Sequence, residues 1–210
     1  MDCIDRRLLA DLLTLSTVEG LTVSEAAKRL CMTRQGLYKI VKTLRSEGYL
    51  ADGQTIALTQ KSREVLSFLL KKLLQYFNIS SLRLVGYVVS GLGEGAFYMS
   101  LEGYKRAIEK ALGFTPYPGT LNVKLDPQSL AYRRYLDGLS GIQIPGFSNG
   151  VRTYGGVKAF RAVVGGVEGA VVMPERTHHP VDVIEVIAPV RLRDVLGLKD
   201  GDRVEVEVFL

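Results

Sequence analysis

The first part of the chain repeats apolar residues at helical spacing. RRLLADLLTLS has this pattern, and TVSEAAKRLCMTRQGLYKIVKTLRSEGYL divides into two further helices around a short turn at CMT. Thr22 or Ser24 can cap the first of these two helices. Thr33 can cap the second, which is expected to run to about Glu47 and to stop at Gly48. The pattern therefore predicts a helix-turn-helix.

The segment YLADGQTIALTQKSREVL follows this motif. It predicts two short strands that turn at Asp52 and Gly53, and then a helix to about Phe77. Together these elements resemble a winged helix domain over about residues 5–76. Such domains place the second helix of the motif in the major groove of DNA. The candidates for base contacts are Arg34, Gln35 and Tyr38, and those for phosphate contacts are Lys39, Lys42 and Arg45.

A second interpretation of this helix stays open, namely a solvated face on a domain that serves only folding or dimerisation. The charge distribution bears on the choice. Of the formal net charge of +5, residues 1–80 hold 12 Lys and Arg against 8 Asp and Glu, whereas residues 81–210 hold 15 against 14. The excess at the front of the chain favours a polyanion such as DNA as a partner of the N-terminal part.

From residue 81 the pattern changes to short, Val-rich segments separated by Gly or Pro. The predicted strands are LRLVGYVVSG, GAFYMSL, GTLNVKL, VKAFRAVVGG, VEGAVVMPE, VDVIEVIAP and DRVEVEVFL. Strands at this spacing predict a small closed barrel. SLEGYKRAIEKALGF is the one clear helix predicted among them, with VRLRDVLGL as a shorter second. The chain is therefore expected to be an α+β multi-domain protein, with domains at residues 1–80 and 81–210.

Composition narrows the class of protein. With 210 residues, 47% hydrophobic and 23% charged, the chain is expected to fold rather than to be disordered. No apolar run reaches the roughly 18 to 20 residues of a membrane span, and MDCIDRRLLADLL has no apolar core of a signal peptide. A cytoplasmic protein without a membrane partner is expected. Cys3 and Cys31 form no disulfide or zinc pattern, and Cys31 is expected to be a small buried residue.

Two stretches carry candidate chemistry on the barrel. In SGLGEGAFYMS, residues 90–100, three glycines allow backbone amides to approach a ligand closely, although this stretch by itself favours a Gly-rich hairpin turn. In GTLNVKL, strand alternation places Thr120, Asn122 and Lys124 on one face. That face is either the exposed side of an antiparallel strand or a set of oxygens that hold a ligand or a hard metal ion.

A third stretch, PERTHHPVDVIEVIAPVRLRDVLGLKDGD, combines His, acidic and Arg residues. His178 and His179 are adjacent, so their side chains diverge and predict no metal site. In this order along the chain, GLGEGAFYMSLEGY, LGFTPYPGTLNVKL, PERTHH and EVIAPVRLRDVLGLKDGD closely resemble the archaeal CTP-dependent riboflavin kinases, over roughly residues 83–208. Members of that family often carry a winged helix domain in front of the kinase.

The resemblance implies a six-stranded cradle-loop barrel that transfers the terminal phosphoryl group of CTP to riboflavin, giving FMN and CDP. It implies nucleotide contacts at Leu92, Gly93, Glu94, Gly95, Ala96, Phe97, Val190, Arg191, Leu192 and Arg193. Mg²⁺ is implied at Thr120 and Asn122, and flavin contacts at Thr177 and Glu185. Glu185 is also the acid nominated as catalytic base. Lys124 is either solvated or faces a phosphate.

Two functions compete at this point. One is a CTP-dependent riboflavin kinase whose N-terminal domain binds DNA or is vestigial. The other is a transcription regulator that senses a flavin or a nucleotide without turnover. The sequence favours the enzyme, because a pure sensor has no reason to keep Thr120 and Asn122 beside a Gly-rich loop.

Overall fold

The computed structural model describes residues 5–91, 93–174 and 180–210. The chain divides into two compact units, Met1–Leu74 and Gln75–Leu210, a division a few residues before the predicted boundary at residue 80. Within the part of the chain that the structure describes, no helix has the length and apolar character needed to cross a membrane.

The N-terminal unit is built from helices α1 (Arg6–Ser16), α2 (Val23–Arg29), α3 (Arg34–Ser46) and α4 (Gln60–Tyr76), the last of which runs across the division. The Thr22 hydroxyl accepts from the Glu25 amide and the Glu25 carboxylate accepts from the Thr22 amide, so Thr22 rather than Ser24 caps α2. Thr33 caps α3 by accepting from the amide of Gly36 at 3.1 Å. The two predicted helices of the motif are therefore confirmed.

The core of this unit comes from apolar residues on the helices and on the segments that connect them. Its fully buried members include Leu12, Leu15, Val18, Ala26, Leu37, Val41 and Ile56. Cys31, in the turn between α2 and α3, is exposed and has a φ of 53°, so the expectation that it is buried was wrong. Cys31 lies in the turn, outside the buried faces that α2 and α3 contribute to the core.

The segment after α3 folds back on itself, as the sequence predicts. The amide of Ala51 donates to the carbonyl of Ala57 at 2.9 Å, and isolated bridges join Leu50 to Leu58 and Thr22 to Thr55. The pairing consists of these single bridges, and no regular strand is present among the described residues of this unit. The turn itself lies at the predicted Asp52 and Gly53.

The C-terminal unit is a closed barrel. Its strands are β1 (Ser81–Val89), β2 (Leu121–Leu125), β3 (Ile142–Ile144), β4 (Phe147–Ser148), β5 (Thr153–Tyr154), β6 (Val157–Val164), β7 (Val167–Pro174), β8 (Val183–Ile187) and β9 (Arg203–Phe209). The antiparallel ring runs β1-β2-β8-β7-β6-β9 and returns to β1. This six-stranded ring agrees with the predicted barrel, and its members are six of the seven predicted strands.

Closure of the ring depends on how β6 is shared. Its first residues, Val157–Ala159, pair with β3, and Ala162–Val164 pair with β9 along the same edge. The interior is filled by Leu84, Val88, Val123, Val171, Ile184 and Val206, all nearly inaccessible to solvent. Gly86 in β1 permits a close strand crossing, because a β-carbon there would lie 2.3 Å from the carbonyl oxygen of Lys124.

Helices α5 (Glu94–Ser100), α6 (Glu102–Leu112), α7 (Pro127–Gly138) and α8 (Leu192–Val195) cover the barrel. The sequence predicted α6 and α8 correctly. The prediction of a strand at GAFYMSL was wrong, because this segment forms α5. Gly93, at a φ of 83°, leads directly into that helix, so the Gly-rich stretch is not a hairpin turn either. A seven-residue apolar segment fits both periodicities.

The helix α7 was not predicted, although its start carries a recognisable signal. Asp126 accepts a hydrogen bond from the Ser129 amide at 2.7 Å, and Pro127 follows the cap. The Ser129 hydroxyl then accepts from the amide of Val85 in β1 at 2.8 Å. These contacts tie the start of α7 to the barrel wall.

Candidate active site

The polar face of β2 forms the centre of the candidate site. Asn122 is buried, and lies in register between Val89 of β1 and Glu185 of β8. The Thr120 hydroxyl stands 3.4 Å from the Asn122 Oδ1 atom and 3.4 Å from the Glu185 Oε1 atom, and can donate to either. The oxygen-bearing side chains of Thr120, directly before β2, of Asn122 in β2 and of Glu185 in β8 therefore meet at one point on the barrel.

The Gly-rich stretch packs directly on this point. A β-carbon on Gly91 would lie 2.0 Å from Asn122 Nδ2, and one on Gly95 would lie 2.5 Å from Thr120 Oγ1. Real β-carbons do not approach other atoms so closely, so both positions need glycine. The amide nitrogen of Asn122 faces Gly91, while its oxygen faces Thr120.

A cavity of about 430 Å³ opens between the Gly-rich stretch, β2 and the segment before α8. We call it the glycine-loop cavity. Its lining includes most of the predicted nucleotide and metal residues, namely Gly93, Glu94, Gly95, Ala96, Thr120, Asn122, Val190, Arg191, Leu192 and Arg193. Phe97 is half-exposed and does not line it. Leu92 lies outside the described residues.

The two arginines of this cavity have different environments. Arg193 is three-quarters buried, donates to the carbonyl oxygen of Val89 at 2.9 Å and pairs with Asp200 at 2.7 Å. Hydrogen bonds from Ser90 and then Arg193 hold the pKa of the Asp200 carboxyl below its usual range. Arg191 is more exposed, and its ion-pair partner among the described residues is the nearby Asp194, at 3.2 Å. Arg193 thus anchors the end of β1, and Arg191 is the more available cation.

A second cavity, of about 400 Å³, also has Thr120 in its lining. We call it the aromatic cavity, because Tyr98, Tyr104 and Tyr154 line it together with Met99. The Tyr104 hydroxyl donates to the carbonyl of Gly155 at 2.8 Å, and the three tyrosine rings meet edge-on with centroids 6.2 to 6.5 Å apart. The sequence reasoning missed these residues, which come from α5, α6 and β5.

The two cavities share part of their lining. Glu94, Gly95, Thr120 and Glu185 border both, and we call these four residues the cavity junction. A molecule in one cavity can therefore approach a molecule in the other at the Thr120 hydroxyl. The predicted metal and flavin residues Thr120 and Glu185 lie at this point.

Lys124 lies apart from this arrangement. It is exposed, stands 3.9 Å from Asp182 and lines neither cavity. This favours the solvated alternative over a phosphate contact. Thr177, predicted to contact the flavin, and the two histidines at 178 and 179 lie outside the described residues.

The helix α3 is a separate candidate surface, on the N-terminal unit. Its buried face carries Leu37, Val41 and Leu44. The predicted DNA contacts Arg34, Gln35, Tyr38, Lys39 and Lys42 are all exposed. Arg45 differs, because its guanidinium donates to the carbonyls of Ala51, Gly53 and Thr55 and so holds the hairpin in place.

Comparison with known proteins relates this architecture to a family. The family model CTP-dep_RFKase, described as a domain of unknown function (DUF120), matches residues 88–208. A riboflavin kinase of Pyrobaculum arsenaticum is 75% identical over 210 residues, which is the whole of both chains. The chain belongs to the CTP-dependent riboflavin kinase family. The resemblance seen in the sequence is thereby confirmed.

More distant riboflavin kinases also match. The protein of Archaeoglobus fulgidus is 44% identical over 202 residues, covering 92% of this chain and 85% of its own. That of Methanosarcina barkeri is 48% identical over 161 residues, covering 74% of this chain and 70% of its own. The part matched by the CTP-dependent riboflavin kinase model contains both cavities and leaves the helices α1 to α4 outside.

Proposed function

We propose that the chain phosphorylates riboflavin to FMN with CTP as the phosphoryl donor and Mg²⁺ as the metal. The observation that carries this proposal is the cavity junction, where the glycine-loop cavity and the aromatic cavity share Glu94, Gly95, Thr120 and Glu185. A transferase needs two substrates whose reacting atoms meet, and two adjoining cavities of different chemistry suit such a pair.

The glycine-loop cavity suits the nucleotide. Backbone at Gly91, Gly93 and Gly95 has no side chain to keep a phosphate away, and Arg191 offers an accessible cation in the same cavity. Phosphoryl transfer requires mainly positioning and charge neutralisation. Val190 and Leu192 line the same wall, consistent with the predicted second nucleotide segment.

The pair Thr120 and Asn122 suits a hard cation. Neighbouring ligands of an octahedral Mg²⁺ at about 2.1 Å lie roughly 3 Å apart, and the two side-chain oxygens are separated by 3.4 Å. The described residues contain no group of three or more His, Cys, Asp or Glu that could hold a metal. With two neutral side-chain ligands, Mg²⁺ would draw its other ligands mostly from water and phosphate, so it would bind weakly without nucleotide. When bound, it neutralises charge on the phosphates.

The aromatic cavity suits the flavin. Its tyrosine rings offer flat apolar surface for a fused ring system, and Arg152 lies at its edge with the guanidinium 5.4 Å from the Tyr154 ring. Glu185 reaches this cavity from β8, in agreement with a flavin contact. The reactive hydroxyl of riboflavin can then approach the cavity junction.

The proposal is tested by incubating the purified protein with riboflavin, Mg²⁺ and either CTP or ATP, and following FMN by chromatography. FMN formed with CTP and little or none with ATP supports it. Equal rates with both nucleotides contradict the CTP dependence. Binding of riboflavin without FMN from either nucleotide favours a flavin-sensing regulator.

We propose DNA binding by a winged helix domain as a second function. The observation that favours it is the exposed row of Arg34, Gln35, Tyr38, Lys39 and Lys42 on one face of α3. The double variant Arg34→Ala, Lys39→Ala should weaken DNA binding and leave FMN formation intact. Lys71→Ala, which removes an exposed lysine from α4, is the matched control. Unchanged DNA affinity in the double variant would favour a vestigial domain.

A further inference from the structure

The cavity junction contains two carboxylates, Glu94 and Glu185. They come from different elements, since Glu94 begins α5 and Glu185 lies in the middle of β8. If a nucleotide and an alcohol substrate meet at this junction, these acids are the described carboxylates that border both substrates. A proton must leave the alcohol when its oxygen attacks the phosphorus, and a carboxylate can accept that proton.

Glu185 lies beside the two candidate metal ligands, Thr120 and Asn122. Its carboxylate stands 3.4 Å from the Thr120 hydroxyl and its backbone lies in register with Asn122. A cation held by Thr120 and Asn122 would therefore lie close to Glu185. The Glu185 carboxylate is already within hydrogen-bonding distance of the Thr120 hydroxyl, one of the two candidate metal ligands. Glu185 thus suits a positioning role beside the metal.

Glu94 has a different environment. It directly precedes Gly95, whose β-position would lie 2.5 Å from Thr120 Oγ1, so its backbone stands beside the junction. Its side chain is exposed, and no residue within the described ranges donates a hydrogen bond or an ion pair to its carboxylate. A carboxylate in a phosphate site is repelled by the phosphates. Its presence is favourable toward a cation, an amino group or a hydroxyl donor.

We propose that the Glu94 carboxylate accepts the proton of the riboflavin hydroxyl that is phosphorylated, an inference that rests on the proposed function. The hydroxyl oxygen forms a bond to the γ-phosphorus of CTP while its proton passes to Glu94. The bond from that phosphorus to the β,γ-bridging oxygen breaks, and its electron pair stays on the β-phosphate of CDP. Solvent then removes the proton from Glu94, which its exposed position allows.

The test compares Glu94→Gln with Glu102→Gln. Glu102 begins the next helix, α6, is exposed and lines neither cavity, so it matches Glu94 in local position. Glu94→Gln should lower kcat by about 10²-fold, with little change in KM for CTP or riboflavin. It should also abolish the fall of kcat on the acid side of the pH profile. Glu102→Gln should retain wild-type kcat and that fall.

Other outcomes would overturn the inference. Wild-type kcat in Glu94→Gln would do so, as would a reduced kcat that keeps the acid-side fall. If Glu94→Gln raises the half-saturating Mg²⁺ concentration and keeps the acid-side fall of kcat, Glu94 binds the metal instead. If Glu94→Gln discriminates CTP from UTP less well, Glu94 contacts the cytosine instead. If the wild-type protein forms no FMN from CTP, the proposed function itself fails.

Discussion

Gly91 lies so close to Asn122 that a β-carbon at Gly91 would stand 2.0 Å from the Asn122 Nδ2 atom. The Gly-rich loop therefore packs against the polar face of β2 with no room for a side chain at Gly91. Any side chain at Gly91 must displace the Asn122 amide, whose oxygen is paired with Thr120.

The variant Gly91→Ala should consequently lose activity without unfolding. Displacing Asn122 moves a candidate metal ligand, so we expect kcat to fall at least about 10-fold and the half-saturating Mg²⁺ concentration to rise. Gly119→Ala adds the same methyl group to the same cavity, 3.1 Å from a Tyr117 ring atom, and should have the smaller effect on Mg²⁺ dependence. An equal rise in the half-saturating Mg²⁺ concentration in both variants would show that Gly91 has no specific effect on the metal ligands.

Asn122→Ala should abolish most of the phosphoryl transfer and spare the fold. We expect a loss of about 10²-fold or more, because an oxygen ligand for the metal is removed. Lys124→Ala on the same strand is the control, since its ion pair with Asp182 is exposed and such pairs contribute about 1 kcal/mol or less. Steady-state rates and melting temperatures of both variants test this. Wild-type turnover by Asn122→Ala would show that Asn122 is not a metal ligand needed for the reaction.

Arg191 and Arg193 should respond differently to substitution by Ala. Arg193→Ala removes the donor to the Val89 carbonyl and the ion-pair partner of Asp200, which keeps its hydrogen bond from Ser90, so it should lower the free energy of unfolding by about 1–2 kcal/mol. Arg191→Ala should leave stability unchanged and raise KM for CTP several-fold, because an exposed cation of the cavity is lost. Denaturant unfolding and initial rates distinguish the two. The reverse pattern would show that their roles are exchanged.

The Asp200 carboxyl should make the protein sensitive to acid. Its hydrogen bonds with Ser90 and Arg193 lower its pKa below the ordinary 3.8, so the folded state favours the ionised form. The resulting stability is present above about pH 3.8 and is lost as pH falls through the lower folded pKa. The difference in melting temperature between the wild type and Asp200→Asn should therefore narrow below pH 3.8. A constant difference from pH 6 to 2 would contradict this.

The sequence predicted the six strands of the barrel because each is a Val-rich run between Gly or Pro residues. It failed at α5, where an apolar segment of seven residues fits both periodicities. It also missed α7, although Asp126 and Pro127 marked its start. Local pattern identifies an element best when the element is long or alternates clearly.

The candidate site likewise contains residues that the sequence supplied and residues that it missed. The resemblance to CTP-dependent riboflavin kinases supplied Thr120, Asn122 and Arg191, which the fold brings to one cavity. Tyr98, Tyr104 and Tyr154 gave no local signal, because three separate elements carry them and only tertiary structure brings them together. Arg45 likewise looked like a surface cation until its contacts with the hairpin carbonyls were visible.

Transfer of labelled phosphate tests the central claim most directly. The full-length protein is incubated with riboflavin, Mg²⁺ and CTP labelled in the γ-phosphate, and the products are separated. Recovery of the label in FMN, with CDP formed in equal amount, is the result that the meeting of the two cavities at Thr120 predicts. Label that remains in CTP or appears only as inorganic phosphate, while riboflavin is bound but unchanged, would contradict it.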